Sequence, residues 1–305
     1  MLNIAVLLTC HNRKLKTLSC LENLYNAKLP EGFLFDVYLV DDGSTDKGAE
    51  LVAKKYPNVK LIRKKNGGVS SARNVGITYA TKNYVAFLDA DDKWSSIFLN
   101  VMNLAILKSP EAVIIGSSYT CKENELASTV DNSQFRLINN YFDIALNNTL
   151  YFTSAVVVKK EFFITNDQFD EQLSHGEDLD MWFRANLHSG YSVYYDGKLV
   201  YYSDEDPNSL DKQTLSISKH LLSKIDSVDF NLAAKNNVSF SKFRDKYVCF
   251  NLYPYYFFLN QDKTVNSLKK KFGNKFLISR IVYMLPLCVG RFVIESPKLH
   301  KLFRK

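Results

Sequence analysis

The chain of 305 residues has few cysteines, and none of them forms a recognisable metal-binding or disulfide pattern. They are odd in number and widely separated, and no Cys-x-x-Cys pair occurs among Cys10, Cys20, Cys121, Cys249 and Cys288. This usage disfavours a zinc site or a disulfide framework, and it is typical of a protein in a reducing compartment. We therefore expect a cytoplasmic protein.

Targeting signals and long apolar segments are also missing. The N-terminus has no basic leader and no cleavage site, and the short apolar run Leu2–Thr9 predicts a first strand. Near the C-terminus the apolar stretch Ile281–Gly290 is ten residues long, about half of a membrane span. No internal repeat of fixed period is found.

Net positive charge is confined to the end of the chain. Residues 261–305 contain 11 Lys and Arg against two acids, a net +9, whereas the whole chain carries +7 and the remainder is therefore −2. This distribution argues against a nucleic-acid partner and predicts a basic appendage. Because the appendage is also partly apolar, we expect it to lie on an anionic membrane surface. A helical subdomain with a solvated basic face is the alternative.

The first ninety residues alternate between strand and helix patterns. Apolar runs predict strands at Asn3–Thr9, Phe35–Val40, Val59–Ile62 and from Tyr84 to the acids that follow it, with helical spacing between them. This alternation predicts a doubly wound parallel sheet. Further on, a hairpin is predicted over Ser192–Tyr202 around an Asp-Gly turn, and helices are predicted after residue 207.

Acidic clusters follow two of these strands. The fourth strand ends in Asp89-Ala90-Asp91-Asp92, and the second ends in Asp41-Asp42. Ligands of such sheets bind at the carboxyl ends of the strands, and carboxylate oxygens suit Mg²⁺ or Mn²⁺, which also hold diphosphates. The sequence therefore predicts a metal and diphosphate site. A solvated acidic turn is the alternative, since Asp is common in turns.

Several motifs occur in a fixed order: Leu8–Arg13, Val40–Asp46, Asn66–Asn74, Phe87–Asp92 and Gly176–Asp178. With these spacings the chain resembles family 2 glycosyltransferases of the GT-A fold over roughly residues 3 to 205. The resemblance implies an α/β fold with a mixed, mostly parallel, doubly wound sheet and helices on both faces. It implies a catalytic domain at 1–207, with a nucleotide-binding half at 1–92 and an acceptor-binding half at 93–207. The helical, basic region 208–305 follows.

The resemblance also implies an activity. Members transfer a sugar with inversion from a nucleotide-diphosphate donor, most often UDP-linked, with Mn²⁺ or Mg²⁺ as cofactor. We expect a glycan or a lipid-linked glycan as acceptor, a role in bacterial surface polysaccharide synthesis, and a location on the inner face of the cell membrane. Two alternatives remain open: a sugar nucleotidyltransferase and a non-catalytic sugar-binding relative.

Site residues follow from the motif positions. The resemblance implies donor contacts at Thr9, His11, Asn12, Asp41, Asp42, Gly68, Arg73, Asp89 and Ala90. It implies Asp91 as the metal ligand, with Asp89 and Asp92 as further candidates. It implies Asp178 as the catalytic base, with Glu177 orienting the base or the acceptor.

Elementary chemistry is consistent with these roles and leaves simpler alternatives open. The Asp42 carboxylate can accept an imide N–H from a base, although Asp-Gly-Ser-Thr-Asp is also an ordinary turn sequence. Gly67 and Gly68 permit close approach of a phosphate to a helix start. Glu177 and Asp178 also suit the first turn of any helix.

One departure from the family pattern concerns the metal site. Many relatives carry a histidine after the hairpin, but residues 200–209 contain none. Asp204, Glu205 or Asp206 is expected to replace it, unless the metal is held by Asp91, donor and water alone.

Overall fold

A computed structural model describes residues 3–203, 216–259 and 262–295. The chain divides into two compact units. Unit 1 comprises residues 1–139 and 150–213, and unit 2 comprises residues 140–149 and 214–305. The predicted domain boundary at residue 207 lies outside the described residues and stays a prediction.

Within the described residues, unit 1 contains one sheet of nine strands: β1 Asn3–Cys10, β2 Leu34–Asp41, β3 Lys60–Arg63, β4 Tyr84–Asp89, β5 Lys93–Trp94, β6 Ile114–Thr120, β7 Phe135–Ile138, β8 Val156–Lys159 and β9 Ser192–Tyr201. The order is β3-β2-β1-β4-β8-β6-β9-β5, and β7 also pairs with β9. Strands β5, β7 and β8 run antiparallel to their partners. The predicted mixed, mostly parallel sheet is therefore confirmed.

The helices of the described residues are α1 Lys14–Tyr25, α2 Gly48–Lys55, α3 Val69–Tyr79, α4 Phe98–Lys108, α5 Tyr141–Ala145, α6 Phe162–Thr165, α7 Glu177–Ser189, α8 Val228–Asn236, α9 Val238–Asn251, α10 Tyr253–Phe258, α11 Lys263–Phe272, α12 Leu277–Met284 and α13 Leu287–Glu295. Helix α5 and helices α8 to α13 belong to unit 2. The remaining helices belong to unit 1.

Helices cover both faces of the sheet, as predicted. On one face, Ile4, Val6 and Leu8 of β1 are buried in a core that includes Leu21 of α1 and Phe98 of α4. A strand buried on both sides has a continuous apolar sequence, which explains why β1 is apolar at every position from Ile4 to Leu8.

Aromatic side chains fill the opposite face. The ring of Phe87 in β4 lies 5.3 Å from the Phe169 ring and 6.5 Å from the Trp182 ring of α7, centroid to centroid, in edge-to-face geometry. Helix α3 approaches β1 closely, since a Cβ at Gly76 would lie 2.9 Å from Leu7 Cδ1. These contacts hold α3 and α7 against the strands that end in acids.

The predicted hairpin at 192–202 is wrong. Residues 192–201 form one continuous strand, β9, which pairs in parallel with β6. Tyr195 pairs with Ser117 and Lys198 with Ser118, so that Asp196 and Gly197 bulge out of the ladder. An Asp-Gly pair is suited to a turn or a bulge, and here a continuous partner strand favours the bulge.

Unit 2 is helical, as predicted for the C-terminal region. Phe142 of α5 packs against Phe240 and Phe243 of α9, at ring-centroid distances of 4.8 and 5.7 Å. The Tyr283 hydroxyl of α12 donates to the carbonyl oxygen of Cys249 in α9 at 3.0 Å. Among the residues described, no helix has the length and apolar character required to cross a bilayer.

A glycine in the loop between β2 and α2 is expected to be essential for stability. Gly43 has a φ of 81°, and a Cβ there would lie 2.8 Å from the backbone nitrogen of Asn66. Gly32 has a φ of 72° but nothing within 4 Å of a built Cβ. Because both alanine variants share the cost of positive φ, we expect Gly43→Ala to lose about 1–3 kcal/mol more than Gly32→Ala through overpacking.

Urea unfolding of the two variants measures this difference. Equal losses of unfolding free energy would show that the loop shifts freely and that the close approach to Asn66 is unimportant.

Candidate functional site

The acidic ends of β2 and β4 lie at one edge of the sheet, on either side of β1. Asp89, the last residue of β4, is in register with Thr9 of β1, and Thr9 is in register with Val40 of β2. Because these strands are parallel, their carboxyl ends meet, and this is where α/β sheets bind ligands. The two acidic clusters are thus neighbours in space as well as in pattern.

Asp41 and Asn12 shape the loops at this edge. Asp41 is fully buried, and its carboxylate accepts the Ser44 N–H at 2.9 Å and Arg63 Nε at 3.2 Å. The Asn12 backbone N–H donates to Ser44 Oγ at 2.9 Å, and the Thr45 N–H donates to Asn12 Oδ1 at 2.8 Å. These bonds connect the β1–α1 loop to the β2–α2 loop.

Asp42 lies between a lysine and the start of α3. Its Oδ1 accepts Lys64 Nζ at 2.6 Å and the Gly67 N–H at 3.0 Å, while Oδ2 accepts the Gly68 N–H at 2.8 Å. A carboxylate has about four acceptor positions, and these contacts use three. Among the described residues, these contacts therefore leave one acceptor position of Asp42 without a partner.

Arg73 of α3 joins the end of β4 to the start of α7. Its Nη2 lies 3.1 and 3.2 Å from the two oxygens of Asp89, and its Nη1 lies 3.2 Å from Glu177 Oε1. The guanidinium is buried and lies over the Phe169 ring at 5.3 Å. Burial alone would lower the pKa of Arg73, but Asp89, Glu177 and Asp178 outweigh it and raise that pKa.

Asp91 has two cations as partners, Arg13, which precedes α1, and Lys16 of α1. Its Oδ2 lies 2.7 Å from Arg13 Nη1 and 3.4 Å from Lys16 Nζ. All three side chains are partly exposed, at 31% for Arg13, 41% for Lys16 and 23% for Asp91. Asp91 also borders a cleft of about 210 Å³ that Lys16 and Tyr201 help to line. This carboxylate is thus accessible to solvent and ligands.

Asp92 is buried and behaves differently from its neighbours. The Asp89 N–H donates to Ser154 Oγ at 3.0 Å, and the Ser154 hydroxyl donates to Asp92 Oδ2 at 2.5 Å. Burial, together with the charges of Asp89 and Asp91, raises the pKa of Asp92 to about 8. Asp92 is therefore a largely protonated acid at neutral pH.

Asp178 lies in the first turn of α7. Its Oδ1 accepts the Leu179 N–H at 2.7 Å, and the Thr153 hydroxyl donates to its Oδ2 at 3.4 Å. Glu177 points to Arg73 instead. Thr153 is adjacent to Ser154, so the turn before β8 contacts both Asp178 of α7 and Asp92 after β4.

The fit of these residues to a divalent cation rests mainly on Asp91. Among the described residues, no three His, Cys, Asp or Glu side chains converge on a common point. Asp89 is paired with the buried Arg73, and burial raises the pKa of Asp92, whereas Asp91 is partly exposed and pairs only with partly exposed cations among the described contacts. Mg²⁺ commonly takes one or two carboxylates and completes its shell with water and substrate phosphates, which is compatible with this arrangement.

The remaining predicted site residues occupy different positions. His11 is exposed, with Nε2 3.2 Å from Asn12 Nδ2, and Ala90 is buried. Gly68 precedes α3 with a φ of 90°. The expected replacements for the missing histidine, Asp204, Glu205 and Asp206, lie outside the described residues.

Sequence reasoning assigned no role to five side chains that contact the acids: Arg13, Lys16, Lys64, Thr153 and Ser154. The first two follow β1 directly, and their place at the ligand edge was a usable signal. Ser154 is 62 residues from Asp92, and nothing in the local sequence indicates that contact.

Asp92 gives a prediction about stability and pH. Its pKa is 3.8 in an ordinary environment and about 8 in the folded chain. Between these values the unfolded chain loses this proton and the folded chain keeps it, so the free energy of unfolding falls as pH rises. As the pH rises from 5 to 7, we expect the free energy of unfolding of wild type to fall relative to that of Asp92→Asn. The expected slope is up to about 1.4 kcal/mol per pH unit.

Urea unfolding in EDTA across this range checks the slope. Asp167→Asn, which changes an exposed carboxylate, is expected to follow wild type. Parallel curves for wild type and Asp92→Asn would contradict a raised pKa.

The amino-acid sequence is similar to those of known proteins. The curated protein GgaB of Bacillus subtilis strain 168, a minor teichoic acid biosynthesis protein, is 30% identical over 231 residues, which cover 72% of this chain and 25% of GgaB. The chain spans about a quarter of the length of the curated relatives it matches.

Solved structures show the same fold. S. aureus TarS 1–349 in complex with UDP-GlcNAc matches with a TM-score of 0.64 and 15% identity, over 99% of this chain and 90% of that chain. The mannosyltransferase PcManGT from Pyrobaculum calidifontis, in complex with GDP-Man and Mn²⁺, matches with a TM-score of 0.57 and 15% identity, over 98% and 82%. These likenesses confirm the predicted fold class.

Residues 5–167, more than half of the chain, match the model of a single family, described as glycosyl transferase family 2. The acidic ends of β2 and β4 lie within this match. The chain belongs to glycosyl transferase family 2.

Proposed function

We propose that the chain transfers a sugar from a nucleoside-diphosphate donor to an acceptor hydroxyl, with inversion at the anomeric carbon. The position of Arg73 carries this proposal. One buried guanidinium joins Asp89, at the end of β4, to Glu177, in the first turn of α7. The donor-side acids and the proposed base are therefore held in one region of unit 1.

The proposed base is Asp178. Its contacts with Leu179 and Thr153 orient the carboxylate. When the acceptor hydroxyl attacks the anomeric carbon, Asp178 removes the hydroxyl proton, and the bond from that carbon to the diphosphate oxygen breaks on the opposite side. A single displacement of this kind inverts the configuration. Glu177 acts through Arg73, by positioning the first turn of α7.

On the donor side, the departing diphosphate gains negative charge. Asp91 would hold Mn²⁺ or Mg²⁺, which when bound supplies Lewis-acid stabilisation of that charge. The Mn²⁺ complex of the mannosyltransferase neighbour supports this cofactor. Asp89, held by Arg73, is proposed to contact the donor, as are Thr9, His11, Asn12 and Gly68.

Asp42 supports uridine as the nucleoside. Its remaining acceptor position suits the N3–H of uracil, whereas cytosine has an acceptor there, which would face a carboxylate oxygen without forming a hydrogen bond. The TarS complex with UDP-GlcNAc supports the same choice. Because the mannosyltransferase neighbour binds GDP-Man, the fold alone does not select the base.

The acceptor and the pathway are proposed from relatives. GgaB takes part in teichoic acid biosynthesis, which supports a glycan or lipid-linked glycan acceptor and a role in bacterial surface polysaccharide synthesis. A sugar nucleotidyltransferase is less well supported, because Thr9–Asn12 lacks the glycine-rich, basic sequence that such an enzyme needs after its first strand.

Unit 2 supports attachment to the inner, anionic face of the cell membrane. Helix α12 buries Val282 and Tyr283 but exposes a second apolar stripe of Leu277, Ile281 and Met284, at 72%, 56% and 79%. In α13, Phe292 is 67% exposed. Exposed basic residues Lys270, Lys275, Arg280 and Arg291 occur in and near these helices. An apolar stripe with basic neighbours fits an anionic lipid interface.

Asp178→Asn tests the catalytic proposal. Loss of the base is expected to lower kcat by about 10²–10⁴-fold, with donor affinity nearly unchanged because Asp178 has no proposed donor contact.

A panel of nucleotide sugars with Mn²⁺, read by thermal shift and then by turnover, identifies the donor.

Asp167→Asn is the control, since it removes an exposed carboxylate before the same helix. Equal turnover by wild type and Asp178→Asn would reject Asp178 as base. Donor binding by a wild type that transfers no sugar would favour the sugar-binding alternative.

The membrane surface is tested by sedimentation with phosphatidylglycerol vesicles. We expect wild type to sediment and Ile281→Glu to remain in solution, because a charge on the apolar stripe opposes insertion. Leu232→Glu in α8 is the matched control, since Leu232 is 57% exposed and Ile281 is 56% exposed.

Phosphatidylcholine vesicles are expected to bind the protein weakly, because they lack net charge. Equal sedimentation of both variants, or wild type that stays soluble with anionic vesicles, contradicts the membrane assignment.

A further inference from the structure

Arg13 stands out because, among the described residues, it pairs with Asp91, the partly exposed acid on which the proposed cation site mainly rests. Its Nη1 is 2.7 Å from Asp91 Oδ2, a short charge-assisted contact. The rest of the residue is held in place: its carbonyl oxygen accepts the N–H and the hydroxyl of Thr17, each at 2.9 Å, and Thr17 is buried. The backbone is thus anchored, while the side chain is 31% exposed.

The ion pair places two cationic groups where a metal ion would need to lie. A divalent cation on Asp91 would be within a few ångströms of the Arg13 guanidinium and of Lys16, which is 3.4 Å from the same oxygen. Like charges at such separations repel strongly. A cation can therefore take Asp91 fully only after Arg13 has moved.

A diphosphate provides the destination for that side chain. Guanidinium groups bind phosphate oxygens in a bidentate manner, with two donors matched to two acceptors. The diphosphate of a nucleotide sugar carries two negative charges in all, against one on a carboxylate, so it competes well for Arg13.

We propose that Arg13 is an exchange residue, which pairs with Asp91 when the site is empty and transfers to the donor diphosphate when the nucleotide binds, leaving Asp91 for the divalent cation. This inference rests on the proposed function. It makes cation and nucleotide binding mutually reinforcing, because each ligand takes one partner of the same ion pair. Lys16 acts in the same direction but more weakly, since its contact with Asp91 is longer.

The experiment compares Arg13→Gln with wild type in two binding measurements. Without nucleotide, Mn²⁺ binding followed by electron paramagnetic resonance is expected to be about two- to five-fold tighter in Arg13→Gln, because the competing cation is gone. With saturating Mn²⁺, UDP binding followed by calorimetry is expected to be weaker, because a phosphate contact is lost. A gain in Mn²⁺ affinity together with a loss of UDP affinity in Arg13→Gln is the result that exchange predicts.

Two further variants control the measurement. Arg136→Gln breaks an exposed ion pair with Asp196, at 2.6 Å, on strands β7 and β9, and is expected to change neither affinity. Arg13→Lys keeps the charge but loses the bidentate geometry, so its Mn²⁺ affinity is expected to stay near wild type while UDP affinity falls.

The outcomes separate this inference from the function on which it rests. If wild type binds Mn²⁺ and UDP but Arg13→Gln binds Mn²⁺ no more tightly, exchange at Asp91 is rejected and the proposed function stands. If Arg13→Gln weakens both ligands alike, Arg13 supports the site as a whole and exchange is again rejected. A folded wild type that binds neither ligand rejects the proposed function and this inference together.

Discussion

The buried positive charge of Arg73 is the constraint on which the site depends. A guanidinium removed from water is destabilising by several kcal/mol unless carboxylates compensate it. Asp89 and Glu177 do so from two different elements, the end of β4 and the first turn of α7. Each element is therefore held to the other through a single side chain of α3. The spacing between Asp89 and Glu177 is therefore a consequence of charge pairing as well as of apolar packing.

The acids that follow β4 illustrate how neighbouring carboxylates acquire different properties. Asp89 pairs with the buried Arg73, Asp91 pairs with the partly exposed Arg13 and Lys16, and burial raises the pKa of Asp92. Identical side chains differ because each leaves the strand end in a different direction and meets a different environment. The partners of Asp91 are partly exposed, whereas the arginine that pairs with Asp89 is buried.

In unit 2 the notable feature is a short helix with two apolar faces. The eight residues of α12 extend about 12 Å, far less than the roughly 30 Å of a bilayer core. One face is used by Val282 and Tyr283 for packing, and the other exposes Leu277, Ile281 and Met284. A helix of this length is suited to lying in an interface, where one apolar stripe is enough for attachment.

The sequence by itself determined the sheet, its edge and the acids there, because strand and helix periodicities are local and parallel strands end at the same side. It could not decide between hairpin and bulge at Asp196–Gly197, because the same dipeptide suits both and the partner strand β6 selects one. Nor could it reveal the contacts of Arg13 with Asp91 or of Ser154 with Asp92, which join residues 78 and 62 positions apart. Such pairs depend on how distant segments of the chain pack against one another.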